Sequence, residues 1–181
     1  MTLFDRANWR GVFPAATTQF AGDLSVDIAA TRQVLDNLVR DGVHGLISLG
    51  TCGENNSLEP DEKRSVLRAA VEVSGGRVPV ISGVSELTTA RAVCFAQDAE
   101  AIGVDGLMVL PAMVYVPTLD ELVAHFTAVA QATRLPIMIY NNPTAYRVSV
   151  GIDALERLAD LPNIVAVKES APDTRRFTDL I

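Results

Sequence analysis

The sequence predicts an α/β fold of parallel strands that alternate with helices, either as part of a (β/α)8 barrel or as an open doubly wound sheet. The predicted strands begin at Gly45, Val78, Gly106, Pro136 and Ile164, so that successive starts are 28 to 33 residues apart. A near-constant spacing of this kind is typical of parallel strands joined by right-handed crossovers. Two segments also resemble each other, Gly-Val-His-Gly-Leu-Ile at 42–47 and Gly-Val-Asp-Gly-Leu-Met at 103–108. We therefore expect about six repeated βα units.

Apolar periodicity and turn residues predict each element in order. A first strand at 11–18 is followed by a Gly-Asp break at 22–23 and by a helix at 27–41 with apolar residues on one face. The next pairs of strand and helix are 45–49 with 60–74, 78–82 with 87–101, 106–110 with 119–133, and 136–140 with 152–159, before a last strand at 164–168. Pro60 suits the first turn of its helix, and Gly75-Gly76 suits its end.

Composition favours a single domain and excludes several functions. The chain has 181 residues, 49% of them hydrophobic, which is enough for one sizeable core. Its formal net charge is −7 and it has no basic run, so we expect no nucleic-acid partner. No apolar run approaches ~18 residues and residues 1–11 lack the apolar part of an export signal, so we expect no membrane insertion and a cytoplasmic protein. Two cysteines and two histidines make a structural zinc site an unfavoured interpretation.

The last strand ends in a lysine. The apolar run Ile-Val-Ala-Val at 164–167 leads directly into Lys168, which is the pattern of a fully buried parallel strand with one cation at its C-terminal end. Burial disfavours the ammonium form of a lysine, and a neutral amine can attack a carbonyl to form a Schiff base. The alternative is a strand-end lysine that reaches solvent or pairs with Glu169.

Strand alternation indicates which way Lys168 and Tyr140 point. A period of two puts Ile164, Ala166 and Lys168 on one face, and Met138 and Tyr140 on one face of the preceding strand. In a barrel both polar side chains would point into the mouth at the C-terminal strand ends, where the active sites of that fold lie. The dinucleotide fingerprint GxGxxG is missing after the first strand, which weakens the open-sheet interpretation.

Two further segments carry candidate site residues on the same rim. Gly-Thr-Cys-Gly-Glu at 50–54 offers successive backbone N–H groups and the Thr51 hydroxyl, a cradle suited to a carboxylate, although an ordinary glycine turn explains it too. Tyr140 precedes Asn-Asn-Pro at 141–143, and a phenol at a rim can transfer protons when it reaches the substrate. Its alternative is a packed tyrosine whose hydroxyl is merely hydrogen-bonded.

The segments at 50–54 and 140–143, with Val-Lys-Glu-Ser at 167–170, together resemble the dihydrodipicolinate synthase and N-acetylneuraminate lyase family of class I Schiff-base lyases. The resemblance extends from about Gly11 to the end of the sequence. It implies a TIM (β/α)8 barrel in which Lys168 forms an imine with the C2 carbonyl of a 2-oxo acid. Tyr140 would transfer protons, and Gly50, Thr51 and Cys52 would hold the substrate carboxylate. The resemblance also implies no metal, no cofactor and a homo-oligomer, specifically a tetramer.

Three departures from the family pattern narrow the implied activity. Synthases of the family carry an arginine after the Tyr-Asn-x-Pro motif, to hold a second substrate; Ala145 stands there, and Arg147 lies two positions on. Paired tyrosines, one of which serves a proton relay across a subunit contact, are replaced by Met113 and Val114, with Tyr115 following. Cys52 replaces the second threonine of the cradle and is a weaker hydrogen-bonding group.

The resulting interpretation is a lyase that acts on a small 2-oxo acid or cyclic imine acid through an imine on Lys168. Segments 107–113 and 140–143 are more similar to the catabolic branch, which includes hydroxy-pyrroline-carboxylate deaminases and 2-keto-3-deoxy sugar acid dehydratases. The alternatives are a 4-hydroxy-tetrahydrodipicolinate synthase or pyruvate aldolase, and a truncated non-catalytic barrel fragment. A complete barrel takes ~250 residues, so we expect residues 1–181 to form one incomplete barrel domain that lacks the last two βα units and exposes strand edges.

Overall fold

A single parallel sheet forms the centre of the protein. The structure is a computed structural model that describes residues 10–112 and 114–181. The strands are β1 (Leu46–Ser48), β2 (Val80–Val84), β3 (Gly106–Val109), β4 (Ile137–Asn141) and β5 (Ile164–Glu169). Their order in the sheet is β1-β2-β3-β4-β5, and every neighbouring pair is parallel. Strand order that follows the sequence is the arrangement of a (β/α)8 barrel, whereas a doubly wound sheet reverses its order.

Helices connect the strands and end near the positions that the sequence predicts. They are α1 (Ile28–Arg40), α2 (Pro60–Ser74), α3 (Thr89–Ile102), α4 (Leu119–Gln131), α5 (Pro143–Tyr146), α6 (Ile152–Leu158) and α7 (Arg175–Asp179), with a 3-10 turn at Asn55–Ser57. Pro60 begins α2, and Gly75 ends it in the left-handed region with φ of 53°. No helix in the described ranges is long and apolar enough to cross a membrane.

Strands β1 to β4 are buried on both faces, and the inner face of the sheet carries the candidate site. The outer face packs against the helices in the larger core cluster. The inner face carries a smaller cluster of Ile47, Ile81, Met108, Leu110, Met138 and Tyr140. Register pairs Met138 with Ala166 and Tyr140 with Lys168, so both predicted polar residues lie on this inner face, at its C-terminal edge.

The first predicted strand, at 11–18, is largely wrong. Only Ala15 forms an isolated parallel bridge, to Ile47 of β1. The segment does run beside β1, since the Ile47 N–H donates to the Pro14 carbonyl at 3.0 Å and the Ala16 N–H donates to the Ile47 carbonyl at 2.9 Å. Pro14 has no N–H of its own, and a ladder that loses a donor at this position stays short.

Two expectations about the last strand need correction. All six residues of β5 are only half-buried, whereas β1 to β4 are fully buried. Among the described residues β5 pairs with β4 alone, whereas the segment at 14–16 covers the outer edge of β1. Ile164 pairs with Ile137 and packs in the outer cluster instead of facing inward. A register shift beside Ile137 leaves Val165 as an extra residue, and a one-residue shift moves a side chain to the opposite face.

Candidate active site

Lys168 lies on the inner face against an aromatic ring and a thioether. Its Nζ is 3.9 Å from the centroid of the Tyr140 ring and 4.0 Å from Sδ of Met108. No carboxylate in the described part of the chain forms an ion pair with it. Glu169 points to the other side of the strand, where it binds Arg176 Nε at 3.0 Å, so the alternative of a Lys168–Glu169 pair is wrong. The amine therefore faces the inside of the sheet with no counter-ion from residues 10–112 or 114–181.

Tyr140 lies in a polar environment that favours loss of its proton. The side chain is 8% exposed, and its hydroxyl accepts a hydrogen bond from Asn142 Nδ2 at 3.0 Å. Burial raises the pKa of Tyr140. Hydrogen bonding with Asn142 and Ser170 and the charge of Lys168 act in the opposite direction and outweigh burial, so the pKa lies below its ordinary value. A phenol with a lowered pKa beside an amine is suited to transfer protons.

The cradle at 50–54 is a tight turn that is fixed by an internal hydrogen bond and by a hydrogen bond from a buried threonine. Gly53 N–H donates to the Gly50 carbonyl at 3.0 Å, and the buried Thr18 hydroxyl donates to the Gly53 carbonyl at 2.7 Å. Only glycine fits at 53, because a Cβ there would lie 2.8 Å from the backbone nitrogen of Leu49. Leu49 itself adopts φ of 56°, which turns the chain sharply at the end of β1.

The exposed edge of this turn offers hydrogen-bond donors. The backbone N–H groups of Thr51 and Cys52 donate to no acceptor in the two described ranges, and the Cys52 thiol is free. Gly50 lies where a Cβ would be 3.3 Å from Cε of Met108, the residue whose sulfur contacts Lys168. The cradle and the lysine therefore share one wall of the same rim.

Tyr146 belongs to this constellation, although the sequence analysis did not single it out. Its hydroxyl is hydrogen-bonded to Oγ1 of Thr51. Its ring meets the Tyr140 ring edge-on, with centroids 5.7 Å apart and an interplanar angle of 90°. Asn142 accepts from the Ala145 N–H at 3.1 Å and so caps the four-residue helix α5, which carries Tyr146 back over the mouth. A second phenol six residues after Tyr140 in one rim loop is the signal that could have revealed it.

Other residues considered in the sequence analysis lie away from the site. Tyr115 is 59% exposed and donates its hydroxyl hydrogen bond to Glu121 Oε1 at 3.0 Å, so it does not reach Tyr140 in its own chain. Ala145 and Arg147 are both exposed, and Arg147 ends α5 with φ of 57°. Val114 is exposed as well, and Met113 lies outside the described residues.

The arrangement combines an unpaired amine, a phenol of lowered pKa, a second phenol and two open backbone donors. An amine at this position can attack a carbonyl carbon while the donors hold an adjacent carboxylate. Within the described ranges there is no group of three or more histidine, cysteine, aspartate and glutamate side chains that could hold a metal ion.

Comparison with known proteins gives the same family as the sequence motifs. The model of the dihydrodipicolinate synthetase family matches residues 8–181. The 4-hydroxy-tetrahydrodipicolinate synthase of Desulforamulus reducens is 38% identical over 170 residues, which are 93% of this chain and 57% of that protein. That of Mycolicibacterium paratuberculosis is 40% identical over 162 residues, 90% of this chain and 54% of that protein.

Solved structures of members of this family superimpose closely on the chain. The dihydrodipicolinate synthase of Aquifex aeolicus superimposes with a TM-score of 0.91 at 32% identity, covering 95% of this chain and 59% of its own. A prophage protein of the dihydrodipicolinic acid synthase family from E. coli K12, in complex with pyruvate, gives a TM-score of 0.90 at 28% identity, covering 95% and 58%. The chain thus spans a little over half the length of these relatives. With its fold confirmed as part of a (β/α)8 barrel, the chain belongs to the dihydrodipicolinate synthetase family.

Proposed function

We propose that the protein is a class I lyase that forms an imine between Lys168 and the C2 carbonyl of a small 2-oxo acid or cyclic imine acid. The observation that carries the proposal is the amine of Lys168, which faces the inside of the barrel 3.9 Å from the Tyr140 ring and has no carboxylate partner among the described residues. Such an amine, beside a proton-transferring phenol and a carboxylate cradle, has the components of Schiff-base chemistry. Because the chain spans 57% of its curated relative from Desulforamulus reducens, this activity is proposed for the whole protein.

The cradle fixes the carboxylate of the substrate in this proposal. The N–H groups of Thr51 and Cys52 donate to its oxygens, next to Gly50, where a Cβ would lie 3.3 Å from Cε of Met108. Two backbone donors favour a carboxylate over a neutral group, because hydrogen bonds to an ionised acceptor are the stronger ones. The substrate carbonyl then lies beside the carboxylate, which is the geometry of a 2-oxo acid.

The chemical steps follow from an amine and a phenol. The neutral amine of Lys168 adds to C2 and gives a carbinolamine, whose hydroxyl takes a proton from Tyr140 and leaves as water. The resulting iminium makes the C3 proton acidic, and the Tyr140 phenolate accepts this proton to give an enamine and a neutral phenol. The enamine electron pair then expels a leaving group from the adjacent carbon, or attacks an aldehyde in the synthase alternative. Hydrolysis of the imine returns the amine and releases the product.

Two activities of this kind are candidates. We favour a catabolic dehydratase or deaminase, because Ala145 stands where a synthase of the family would carry the arginine that holds its second substrate. The second candidate is a 4-hydroxy-tetrahydrodipicolinate synthase, and the names of relatives 34% to 40% identical support it. A pyruvate aldolase would use the same imine, and the pyruvate complex of the E. coli K12 neighbour supports a substrate of that size.

Borohydride trapping tests the imine. Incubation with pyruvate and borohydride should add to the Lys168 peptide the mass of pyruvate less one oxygen atom. The chain provides its own control, because Lys63 is the one other lysine in the sequence and is buried in an ion pair with Glu86 at 2.6 Å. Lys168→Ala should abolish the adduct. An enzyme that turns over substrate without ever forming it refutes the imine.

Product analysis separates the candidates. Release of ammonia or water from hydroxy-pyrroline carboxylates or 2-keto-3-deoxy sugar acids supports the catabolic assignment. Efficient consumption of aspartate semialdehyde with pyruvate supports the synthase and contradicts our preference. The purified protein is assayed in parallel with the catabolic substrates and with the synthase substrates, and Lys168→Ala is the blank.

A non-catalytic barrel fragment is the third candidate, and the 57% coverage of the Desulforamulus relative supports it. On this proposal residues 1–181 form an incomplete barrel domain whose site needs further βα units. A longer protein that traps pyruvate while the 181-residue chain does not would support it. The cytoplasmic location and the homotetramer implied by the resemblance are proposed as well, and sedimentation of the active protein checks the latter.

A further inference from the structure

We propose that Asn141, Glu169 and Arg176 are positioning residues for the amine that forms the imine. They lie on the side of the sheet away from the candidate site and hold the end of β5 against the end of β4. The last two rungs of that ladder pair Tyr140 with Lys168 and Asn141 with Glu169. Each of the two reactive residues is therefore followed directly by a residue of this cluster. The inference rests on the imine proposed above.

Four residues form a closed cycle of hydrogen bonds, which we call the polar clamp: Asn141, Val150, Glu169 and Arg176. Asn141 Nδ2 donates to both carboxylate oxygens of Glu169 at 2.9 Å. Arg176 Nε donates to Oε2 of that carboxylate at 3.0 Å, and a second nitrogen of the same guanidinium donates to the Val150 carbonyl. The Val150 N–H donates to Asn141 Oδ1 at 2.9 Å, which closes the cycle.

The polar clamp is buried, and its hydrogen-bonding groups are satisfied. Asn141 is 1% exposed, and the side chains of Glu169 and Arg176 are 3% and 14% exposed. Each oxygen of Glu169 accepts two hydrogen bonds, because the Ala171 N–H donates to Oε1 at 2.8 Å in addition to the bonds of the cycle. The buried carboxylate is balanced by the charge of the guanidinium. A fully satisfied buried network of this kind makes the backbone around it rigid.

The polar clamp acts on the site through the backbone of β5. Side chains alternate along a strand, so a fixed Glu169 on the outer side sets the direction in which Lys168 leaves the inner side. The Ser170 N–H also donates to the Asn141 carbonyl at 2.9 Å, one step beyond the last rung. The ladder is therefore held closed past the rung that carries the amine and the phenol.

The carboxylate cradle is held by other contacts. It follows β1, at the opposite end of the strand order from β5, and its turn is fixed by Gly53 and Thr18. Within residues 10–112 and 114–181 no hydrogen bond joins the cradle at 50–54 directly to the polar clamp. A defect in the clamp should therefore displace the amine and leave the carboxylate donors in place. This predicts a loss of kcat with little change in KM.

Two adjacent arginines of α7 provide a matched pair of variants. Arg175 has a side chain that is 86% exposed and pairs with Asp173 at the surface, whereas Arg176 belongs to the polar clamp. In the whole protein, Arg176→Ala should slow the formation of the borohydride-trapped adduct with pyruvate ~100-fold, the usual cost of misplacing a reacting group by about 1 Å. The final extent of trapping on Lys168 should be unchanged, because the amine is displaced and not removed. Arg175→Ala should leave the rate and the extent unchanged.

Steady-state exchange of deuterium into C3 of pyruvate gives kcat and KM for the same variants. Arg176→Ala should lower kcat and leave KM near that of the unsubstituted protein. Arg176→Lys keeps the positive charge but lacks the fork that reaches Glu169 and Val150 together, so it should recover part of the lost rate. This conservative variant also decides the matter if Arg176→Ala does not fold, and circular dichroism measures the folded fraction of each protein.

The outcomes separate the positioning role from the imine. Rates in Arg176→Ala and Arg176→Lys that equal those of Arg175→Ala would overturn the positioning role, while normal trapping on Lys168 keeps the imine. A loss that appears only in KM, or an extent of trapping that falls in step with the folded fraction, would overturn it as well. If the unsubstituted protein traps no pyruvate, the imine is refuted and the positioning role with it.

Discussion

The hydroxyl of Tyr140 is surrounded by groups that favour its ionised form. Asn142 donates to it at 3.0 Å, and Nζ of Lys168 lies 3.9 Å from the centroid of its ring. Burial opposes these groups by raising the pKa, yet the result is a lowered pKa. At this position the balance between desolvation and hydrogen bonding sets how readily a proton leaves.

Asn142→Asp should raise the pKa of Tyr140. An aspartate keeps an oxygen to cap α5, but it replaces the Nδ2 donor with a negative charge that disfavours the phenolate. If Tyr140 is the acid in imine formation, the basic limb of the rate profile should move to higher pH. Tyrosine Cζ NMR measures the pKa directly, because the chain has only three tyrosines.

Asn142→Ser provides the comparison, since it keeps a cap and removes the donor without adding charge. Its effect on the Tyr140 pKa should have the same sign and be smaller. An unchanged Tyr140 pKa in both variants would contradict the assignment of Asn142 as the group that stabilises the phenolate.

Strand alternation made the positions of Lys168 and Tyr140 predictable, whereas the position of Tyr146 depends on a short local helix and could not be predicted. Lys168 and Tyr140 lie on the inner face as expected, because side chains alternate along strands and register aligns the two strand ends. Tyr146 depends on a four-residue helix that begins at Pro143, and such a short element leaves no periodic pattern.

At the scale of elements, Glu169 connects the ends of several of them. Its side chain is 3% exposed and accepts from Asn141 Nδ2 of β4 at 2.9 Å and from Arg176 Nε of α7 at 3.0 Å. Arg176 also donates to the carbonyl of Val150, just before α6. Burial raises the pKa of Glu169, but these hydrogen bonds and the Arg176 charge lower it below its ordinary value.

Glu169→Gln should destabilise the protein by ~1–3 kcal/mol at pH 7, the usual scale for a hydrogen bond to a charged group. A carboxyl group with a lowered folded-state pKa contributes stability above its unfolded-state pKa of about 4.3, and that stability is lost as the pH falls through the folded-state value. The difference between the two proteins should therefore shrink below about pH 4. Urea unfolding at pH 7 and in acid measures it.

Asp160→Asn is the control, because Asp160 is exposed. This variant should be as stable as the unsubstituted protein at pH 7 and also in acid. A constant difference between Glu169→Gln and the unsubstituted protein from pH 7 into acid would contradict the ionised network.

Element boundaries were predictable where residues carry explicit start and stop signals. The predicted helix at 60–74 matches α2 because Pro60 and Gly75 define its ends. The predicted strand at 11–18 was wrong because periodicity cannot show that Pro14 shortens the ladder with β1. The bulge that moves Ile164 to the outer face was also hidden, since it arises from pairing with Ile137 in another strand.

At the scale of the whole molecule, the repeat of βα units determined the sheet order. Strand starts 28 to 33 residues apart leave room for one helix per crossover, and the observed order follows the sequence. The repeat could not predict how far β5 is paired and buried. There the described strand has β4 on one side only, and its residues are half-buried.

A polypeptide of residues 1–181 expressed by itself should self-associate through the edge of β5 that has no partner strand among the described residues, because an unpaired strand edge is a template for pairing with a second copy. Val165→Lys should weaken this association, since Val165 is the half-buried extra residue at the register shift and a lysine there opposes edge pairing. The matched control is Val116→Lys, which places the same charge on a 66% exposed valine far along the chain from β5. Sedimentation equilibrium over a range of concentrations measures the association constant. A constant that falls for Val116→Lys and not for Val165→Lys would place the contact at the exposed loop instead of the strand edge.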